Sequence, residues 1–385
     1  MSTVCKVKPV KVVFAENPVW VKIASSLTGK RFLEVHVEVT AALVQEGVRV
    51  RTSVREFSLP SSGNGEEVTF NVAPMLRALL SMRRVQPLRG GSARQAGGAV
   101  RFEFRHWDSY LDEQNQVVSS VKFTVREFWA VSGGYTDVQR ALGQEDTGAA
   151  LAVRRVFSNR PKGLLHPVGW PFVFSQYRFA ESELLDPPSV PVAAVSARGR
   201  SFPLGSVAGV ANEVEQVRLG GDWTKLEPGN YVIDGVLEVT LVPPSPDAVY
   251  FEFVNRLGAL ESVVCFARVK EEFKLKGERN VRQAEVGFRP SARYVRRWTS
   301  QECVLSLSTG AVSRLQAQWF VQDFFCAEQC WMFDPQLDMM VPVVIESEEY
   351  TVYDFTKPQV FNLEFEVVRS WNGYHTGGAF SGKGF

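Results

Sequence analysis

Catalytic signatures are missing first. The chain has no G-x-S-x-G elbow, no G-x-x-x-x-G-K-[ST] loop, no H-E-x-x-H pair and no G-x-G-x-x-G between a strand and a helix. The motif-borne routes to hydrolase, nucleotide and zinc-protease chemistry therefore have no support. No run of about 18 apolar residues occurs, so no membrane-crossing helix is expected. The N-terminus, MSTVCKVKPVKVVFAENP, lacks the apolar core and small-residue cleavage site of a secretory signal. Charge of one sign is lacking too: 43 Lys+Arg stand against 42 Asp+Glu, for a net charge of +1. No bulk field exists to recruit nucleic acid, an acidic membrane or an acidic substrate, and charge arguments must be local.

Cysteine is scarce and odd in number. Cys5, Cys265, Cys303, Cys326 and Cys330 are scattered, which fits reduced core residues of a protein made in a reducing cytosol better than a disulfide scaffold. Cys326 and Cys330 stand at i and i+4, one helix face, but two further zinc ligands at matching spacing are absent. Histidine is also sparse. His36, His106, His166 and His375 lie far apart, and each reads as a surface or structural residue. No catalytic residue, metal or cofactor is expected.

What the chain has is alternation. Phe32, Val35, Val37 and Val39 interleave with Glu34, His36 and Glu38; Phe102 and Phe104 with Glu103 and Arg105; Val121, Phe123 and Val125 with Lys122, Thr124 and Arg126. Period two means one face buried and one wet, the mark of antiparallel sheets and sandwiches. Hydrophobic residues at 45% and aromatics at 12% are enough to fold most of the chain. The expected fold is mainly β, two or three β-sandwich-like domains with a few short helices.

Helical spacing is convincing twice. NVAPMLRALLSM places Val72, Met75, Leu76, Leu79 and Leu80 on one face behind Asn71, and VSRLQAQWFVQDFF does the same with Val312, Leu315, Trp319, Phe320 and Phe324 behind Ser313. A shorter candidate starts at Thr136 with capping-box spacing to Gln139. At 385 residues the chain exceeds a usual single core. Turn-rich stretches divide it into 1–145, with a basic loop at 83–98, then 146–270, ending in a hairpin at 250–266, and 271–385, with a helix near 313–325. SARGRSFPLGSVAGVANE reads as a long loop, and KEEFKLKGERNVRQ as a charged lead into the third block. The tail WNGYHTGGAFSGKGF, with five glycines in fifteen residues, should be mobile unless a neighbour holds it.

Two features suggest contacts. Between Arg77 and Arg101 lie six arginines, including Arg83, Arg84, Arg89 and Arg94, and no acid. Such a cluster docks on carboxylates or phosphates. Nucleic-acid contact would bring interleaved aromatics, which this loop lacks, so a neighbouring protein subunit is the expected partner. The hairpin YFEFVNRLGALESVVCF joins two apolar runs through a polar, glycine-marked turn, with Asn255, Arg256 and Glu261 placed for polar contacts at the tip. Nine tryptophans could make a glycan platform from Trp107, Trp129, Trp223 and Trp371, although core packing explains them more simply. A glycoside-hydrolase pair among the 42 acids stays open.

A resemblance adds a role. Trp331-Met332-Phe333-Asp334, then Met340-Val341-Pro342-Val343-Val344-Ile345-Glu346 and the strand FNLEFEVVRS resemble the closing part of tail-tip or baseplate proteins of phages and prophages of gut Bacteroides-type bacteria. The 250–266 hairpin is similar to a W-N-x-x-G-x-x-E hairpin of that group, and NPVWVKI and FNVAPMLRALL are similar to its first domain. The resemblance implies a non-enzymatic, distal-tail-like structural subunit of the virion. It would be made in the host cytoplasm and would form a ring with its own copies and neighbouring tail proteins, away from membranes. A glycan-binding adhesin or receptor-binding module on the same virion is the alternative.

Overall fold

The computed structural model describes residues 2–9, 12–45, 48–80, 91–95, 98–134, 156, 158–177, 190–207, 214–220, 223–286, 289–335, 337–346, 350 and 360–371. Arg83, Arg84 and Arg89, the helix expected from Thr136 and the glycine-rich tail after Trp371 lie outside these residues. The chain is mainly β, as the alternation predicts.

The first unit is a sandwich. One sheet has the order β1 (Thr3–Val7), β3 (Trp20–Ser25), β6 (Glu67–Asn71). The other runs β2 (Val12–Phe14), β10 (Phe123–Val131), β8 (Ala99–Leu111), β4 (Arg31–Gln45), β5 (Val48–Pro60), with β9 (Val117–Ser119) paired to β8. Val35, Val37 and Val39 of β4 and Phe102 and Phe104 of β8 face inward onto Val21, Ile23 and Phe70 of the smaller sheet. Each such side chain contributes roughly 1.5–3 kcal/mol on burial. Helix α1 (Ala73–Arg77) closes one end with Met75 and Leu76. Asn71 helps start it, its Oδ1 accepting from the Ala73 N–H at 3.1 Å. Phe32 departs from the expected pattern. The β4–β8 ladder bulges between Arg31 and Glu34, Phe32 takes φ 50° and is exposed, and Leu33 takes the inward place.

The second unit is also two-layered. Strands β11 (Leu164–Pro167), β17 (Leu237–Val242), β16 (Gly229–Ile233), β13 (Val190–Ser196) and β14 (Ser201–Val207) form a sheet in that order. It packs on a second sheet, β12 (Phe172–Tyr177), β15 (Val214–Leu219) and β7 (Gly91–Gln95), through Phe172, Phe174, Val217, Ile233 and Val239. Two expectations are corrected here. The first half of the supposed long loop is a hairpin, with β14 paired to β13 around a turn at Gly199 (φ 76°); its Ser, Pro and Gly content hid the alternation. Residues 91–95 do not project as a loop either: β7 pairs antiparallel with β15, Arg94 opposite Glu215, so a strand from early in the chain completes the middle sheet.

The third unit is a seven-stranded sheet, β19 (Leu260–Cys265), β18 (Val249–Val254), β22 (Cys330–Asp334), β23 (Met339–Glu346), β24 (Val360–Trp371), β21 (Arg289–Ser313), β20 (Ala267–Val286). A boundary at 270 would split it, since the 250–266 hairpin supplies β18 and β19. KEEFKLKGERNVRQ is strand, not a lead-in. Helix α2 (Arg314–Trp319) opens with a capping box between Ser313 and Gln316 and runs into a π-helical turn, Phe320–Phe325. Trp319, Phe320 and Phe324 pack on the sheet, whereas Leu315, assigned to that face by spacing, is exposed in the first turn of the helix.

Candidate functional site

The 250–266 hairpin occupies the place where the three units meet. Its turn is closed from within by Asn255. The Asn255 N–H donates to the Ala259 carbonyl at 2.8 Å, its carbonyl accepts from Gly258 at 2.8 Å and its Oδ1 accepts from Ala259 at 3.0 Å. Gly258 sits at φ 70°, and a Cβ there would lie 2.5 Å from Ser132; a Cβ on Gly133 (φ 94°) would lie 2.1 Å from the Leu257 backbone. Only glycine allows both the left-handed turn and this backbone-on-backbone approach. The Gly134 N–H donates to the Arg256 carbonyl at 3.1 Å. Leu257 and Ala259 enter a cluster with Phe14, Trp129 and Val131 of the first unit and Tyr177 and Val214 of the second. The glycine-marked connection is thus a wedge.

Below the tip lies a buried polar core. Glu261 accepts from Ser158 Oγ at 2.8 Å and from Asn255 Nδ2 at 3.0 Å, and stands 3.9 Å from Arg160 Nη1. Both members of this pair are almost wholly covered. Burial pushes the Glu261 carboxyl up to about 7 against the pull of Arg160, and lowers Arg160 to about 10. Arg160 donates to the Ser262 carbonyl at 2.6 Å and lies over the rings of Phe172 and Trp319. His166, buried beside it, accepts no proton readily: burial, then the Arg160 charge, hold it down at about 3. Ser262 and Ser175 tie β19 to β12 through the Val173 N–H at 2.8 Å and the Leu260 carbonyl at 3.0 Å.

The π turn completes the junction. Asp323, which it directs inward, accepts from the Arg256 N–H at 3.3 Å, while the Arg256 guanidinium donates to the Gln322 carbonyl at 2.6 Å. Burial raises the Asp323 carboxyl. A cleft of about 620 Å³ opens beside these groups, lined among others by Glu16, Arg77, Gly133, Arg256, Asp323 and Cys326. Glu16 and Arg77 pair across it at 3.2 Å.

These positions revise the expected contacts. Asn255 and Glu261, read as tip groups for a partner, are buried and joined to their own chain, because the tip enters a core instead of solvent; Arg256 spends its N–H, carbonyl and guanidinium on the same junction. Arg94 contributes its backbone to β7, and Arg77 meets Glu16. Trp107, Trp129 and Trp223 are buried, so they do not form a platform. Cys265, Cys303 and Cys330 are core, but Cys326 is exposed at the end of the π turn and Cys330 opens β22, so the two share no helix face.

One arrangement was missed. His36 Nε2 lies 2.7 Å from Ser109 Oγ and His36 Nδ1 lies 3.1 Å from Glu56 Oε1, the connectivity of a Ser–His–acid relay. It lies on the outer face of the first sandwich, where three neighbouring strands bring together residues 20 and 73 apart in sequence. His36 stacks on Trp107 at 5.0 Å, and Glu34 stands 3.8 Å from the same Nε2, where an anionic intermediate would be repelled. The local N–H groups belong to a sheet ladder, since Glu34 pairs with Ser109 and His36 with Trp107. The relay's geometry serves cross-strand pairing.

A comparison with known families finds no matching family model, and a comparison with curated proteins finds no match.

Proposed function

We propose that this chain is a non-enzymatic structural subunit of a phage tail tip or baseplate, which assembles into an oligomeric ring and contacts neighbouring tail proteins. The observation that carries the reading is the β20–β21 hairpin. β24 covers β21 only from Gln301 to Ser313, while β20 and β21 stay paired for eleven further pairs, from Lys276–Ser300 to Val286–Arg289. At about 3.4 Å per residue this two-stranded ribbon extends roughly 35 Å past the sheet. An isolated two-stranded ribbon is marginal in water, and a neighbouring subunit is the natural support for one of this length. The wedge-locked junction supports the same reading, because it fixes three β units into one frame on which such an arm can bear.

The test is the mass of the full chain by light scattering, alone and after replacement of residues 276–299 by a short Gly-rich turn. Assembly that is lost with the ribbon supports the proposal; a strict monomer with and without tail partners overturns it. The adhesin reading retains only tryptophans outside the core, and glycan-array binding that survives ribbon removal would favour it.

A further inference from the structure

The larger sheet of the first unit ends on a strand with an open side. In the order β2, β10, β8, β4, β5, no strand among the described residues pairs with β5 on the side away from β4. One contact shows which of its backbone groups are left over. The Ser61 N–H donates to the Leu33 carbonyl at 3.0 Å, and this pair continues the register that sets Pro60 opposite Glu34. Hydrogen bonding alternates along an antiparallel ladder, so the odd-numbered residues of β5 bond to β4, whereas Thr52, Val54, Glu56 and Ser58 aim their N–H and carbonyl groups outward. Pro60, which has no N–H to offer, falls in the outward set, as suits a proline on a sheet edge. Edges are commonly blunted by shortness, bulges, lysine or proline. β5 is 13 residues long, its ladder has no register shift from Arg51 to Pro60, and it holds neither lysine nor proline between Arg51 and Leu59. Thr52, Val54, Arg55, Glu56 and Ser58 are all exposed, Val54 at 59%.

We propose that β5 pairs antiparallel with β5 of a second copy across a two-fold axis at Val54, joining the two larger sheets into one. Charge selects both the occupant and the register. Arg51 and Arg55 are exposed on the same side of the strand as Phe57, and like charges directly opposite are destabilising. An axis at Ser53 would set Arg51 against Arg55, and one at Arg55 would set that residue against itself. An axis at Thr52 would set Arg55 against Arg49, and one at Glu56 would oppose two glutamates. Of these five axes only Val54 avoids every such clash. It places Val54 opposite Val54, Ser53 opposite Arg55, Thr52 opposite Glu56, and Arg51 opposite Phe57, where a guanidinium over a ring is favourable. Val54 belongs to the outward set, so the two copies exchange both hydrogen bonds at the axis. Arginines that deter a strand in other registers thus admit a copy of the same strand in one. The contact is isologous, separate from the β20–β21 ribbon, and goes beyond the assembling-subunit reading.

The experiment uses the full chain. Val54→Cys puts two thiols across the axis, where the Cα atoms of a hydrogen-bonded pair stand about 5.5 Å apart, within disulfide reach. Ser53→Cys is the register control, because in the proposed pairing it stands diagonal to its copy at about 7–8 Å. Cys326 is exposed, so both variants also carry Cys326→Ser. Under mild oxidation the Val54→Cys chain should link to a covalent dimer about tenfold faster than the Ser53→Cys chain. Val54→Pro removes an N–H that β4 does not use; the variant should keep the wild-type circular dichroism and weaken association about tenfold by light scattering, whereas Val54→Thr should stay within about threefold of wild type. Equal linking at positions 53 and 54, or a wild-type oligomer that a folded Val54→Pro chain leaves unchanged, overturns the contact while leaving the ribbon's role in assembly standing. A wild-type monomer that gives no Val54→Cys link overturns both. A Val54→Cys link that persists when residues 276–299 are replaced by a short turn supports the contact, whatever that replacement does to the larger assembly.

Discussion

Two hairpins meet at Phe266 and are built to opposite ends. β18–β19 is short, its tip fixed by two glycines at positive φ, by Asn255 and by a buried carboxylate, and it belongs to the interior. β20–β21 is several times longer and is joined by β24 along one edge for only part of its length. The first satisfies its polar groups within the chain. The second runs on for eleven pairs past the strand that covers it. The difference separates a hairpin closed within the chain from one that, on the proposed reading, serves association.

The strongest way to break that contrast is at the wedge. Gly133→Ala adds a Cβ that meets the Leu257 backbone at 2.1 Å from a residue at φ 94°. Left-handed backbone strain and overpacking together should cost roughly 3–5 kcal/mol. Urea unfolding measures this, and a variant as stable as wild type would mean that the hairpin tip can lift away without loss.

The next largest effect is pH-dependent. The folded chain holds a proton on Glu261 up to about pH 7, whereas an ordinary glutamate releases it near 4.5. The stability from this group is therefore complete below pH 4.5 and is lost as pH rises through 7, by about 3 kcal/mol. Glu261→Gln should remove that part of the pH dependence while keeping an acceptor for Ser158 and Asn255. Unfolding free energies at pH 5 and pH 8 decide the point, and equal slopes for the two proteins would exclude Glu261 as the source.

The ribbon should behave in the opposite way. Replacing residues 276–299 by a short turn should change the unfolding free energy of the isolated chain by less than about 1 kcal/mol, because a two-stranded segment beyond the last covering strand adds little stability of its own. Hydrogen exchange sharpens the comparison: amides of β18 and β19 should be protected in every state, and those of Lys276–Val286 only in the assembled one.

The alternation of β4 and β8, the capping box at Ser313 and the hairpin at 250–266 were legible because each is a local pattern. The junction was not. Glu261 and Asn255 look like tip residues until Ser158, Arg160 and Asp323, between 62 and 103 residues away from Glu261, close around them, and nothing in the sequence announces that approach. The ribbon was hidden by composition, since the charges and glycine of KEEFKLKGERNVRQ leave no period-two alternation to read. Leu315 keeps the i, i+4 spacing to Trp319 yet is exposed in the first turn of α2, because spacing marks a helix face but not how far along it burial reaches.

The smallest expected effect concerns the relay on the first sandwich. Ser109, His36 and Glu56 have the distances of a nucleophile, a base and an orienting acid, yet distance is one part of such a site. Activation also needs donors aimed at the developing oxyanion, and here the ladder uses the nearby N–H groups while Glu34 stands 3.8 Å from the His36 nitrogen that faces Ser109. A fluorophosphonate probe should therefore leave Ser109 unlabelled, and Ser109→Ala should shift stability by no more than about 1 kcal/mol, the worth of one cross-strand hydrogen bond. Labelling at Ser109 that disappears in His36→Ala would show that a flat sheet face can activate a serine, and the line between a structural frame and an associating arm would no longer describe the whole molecule.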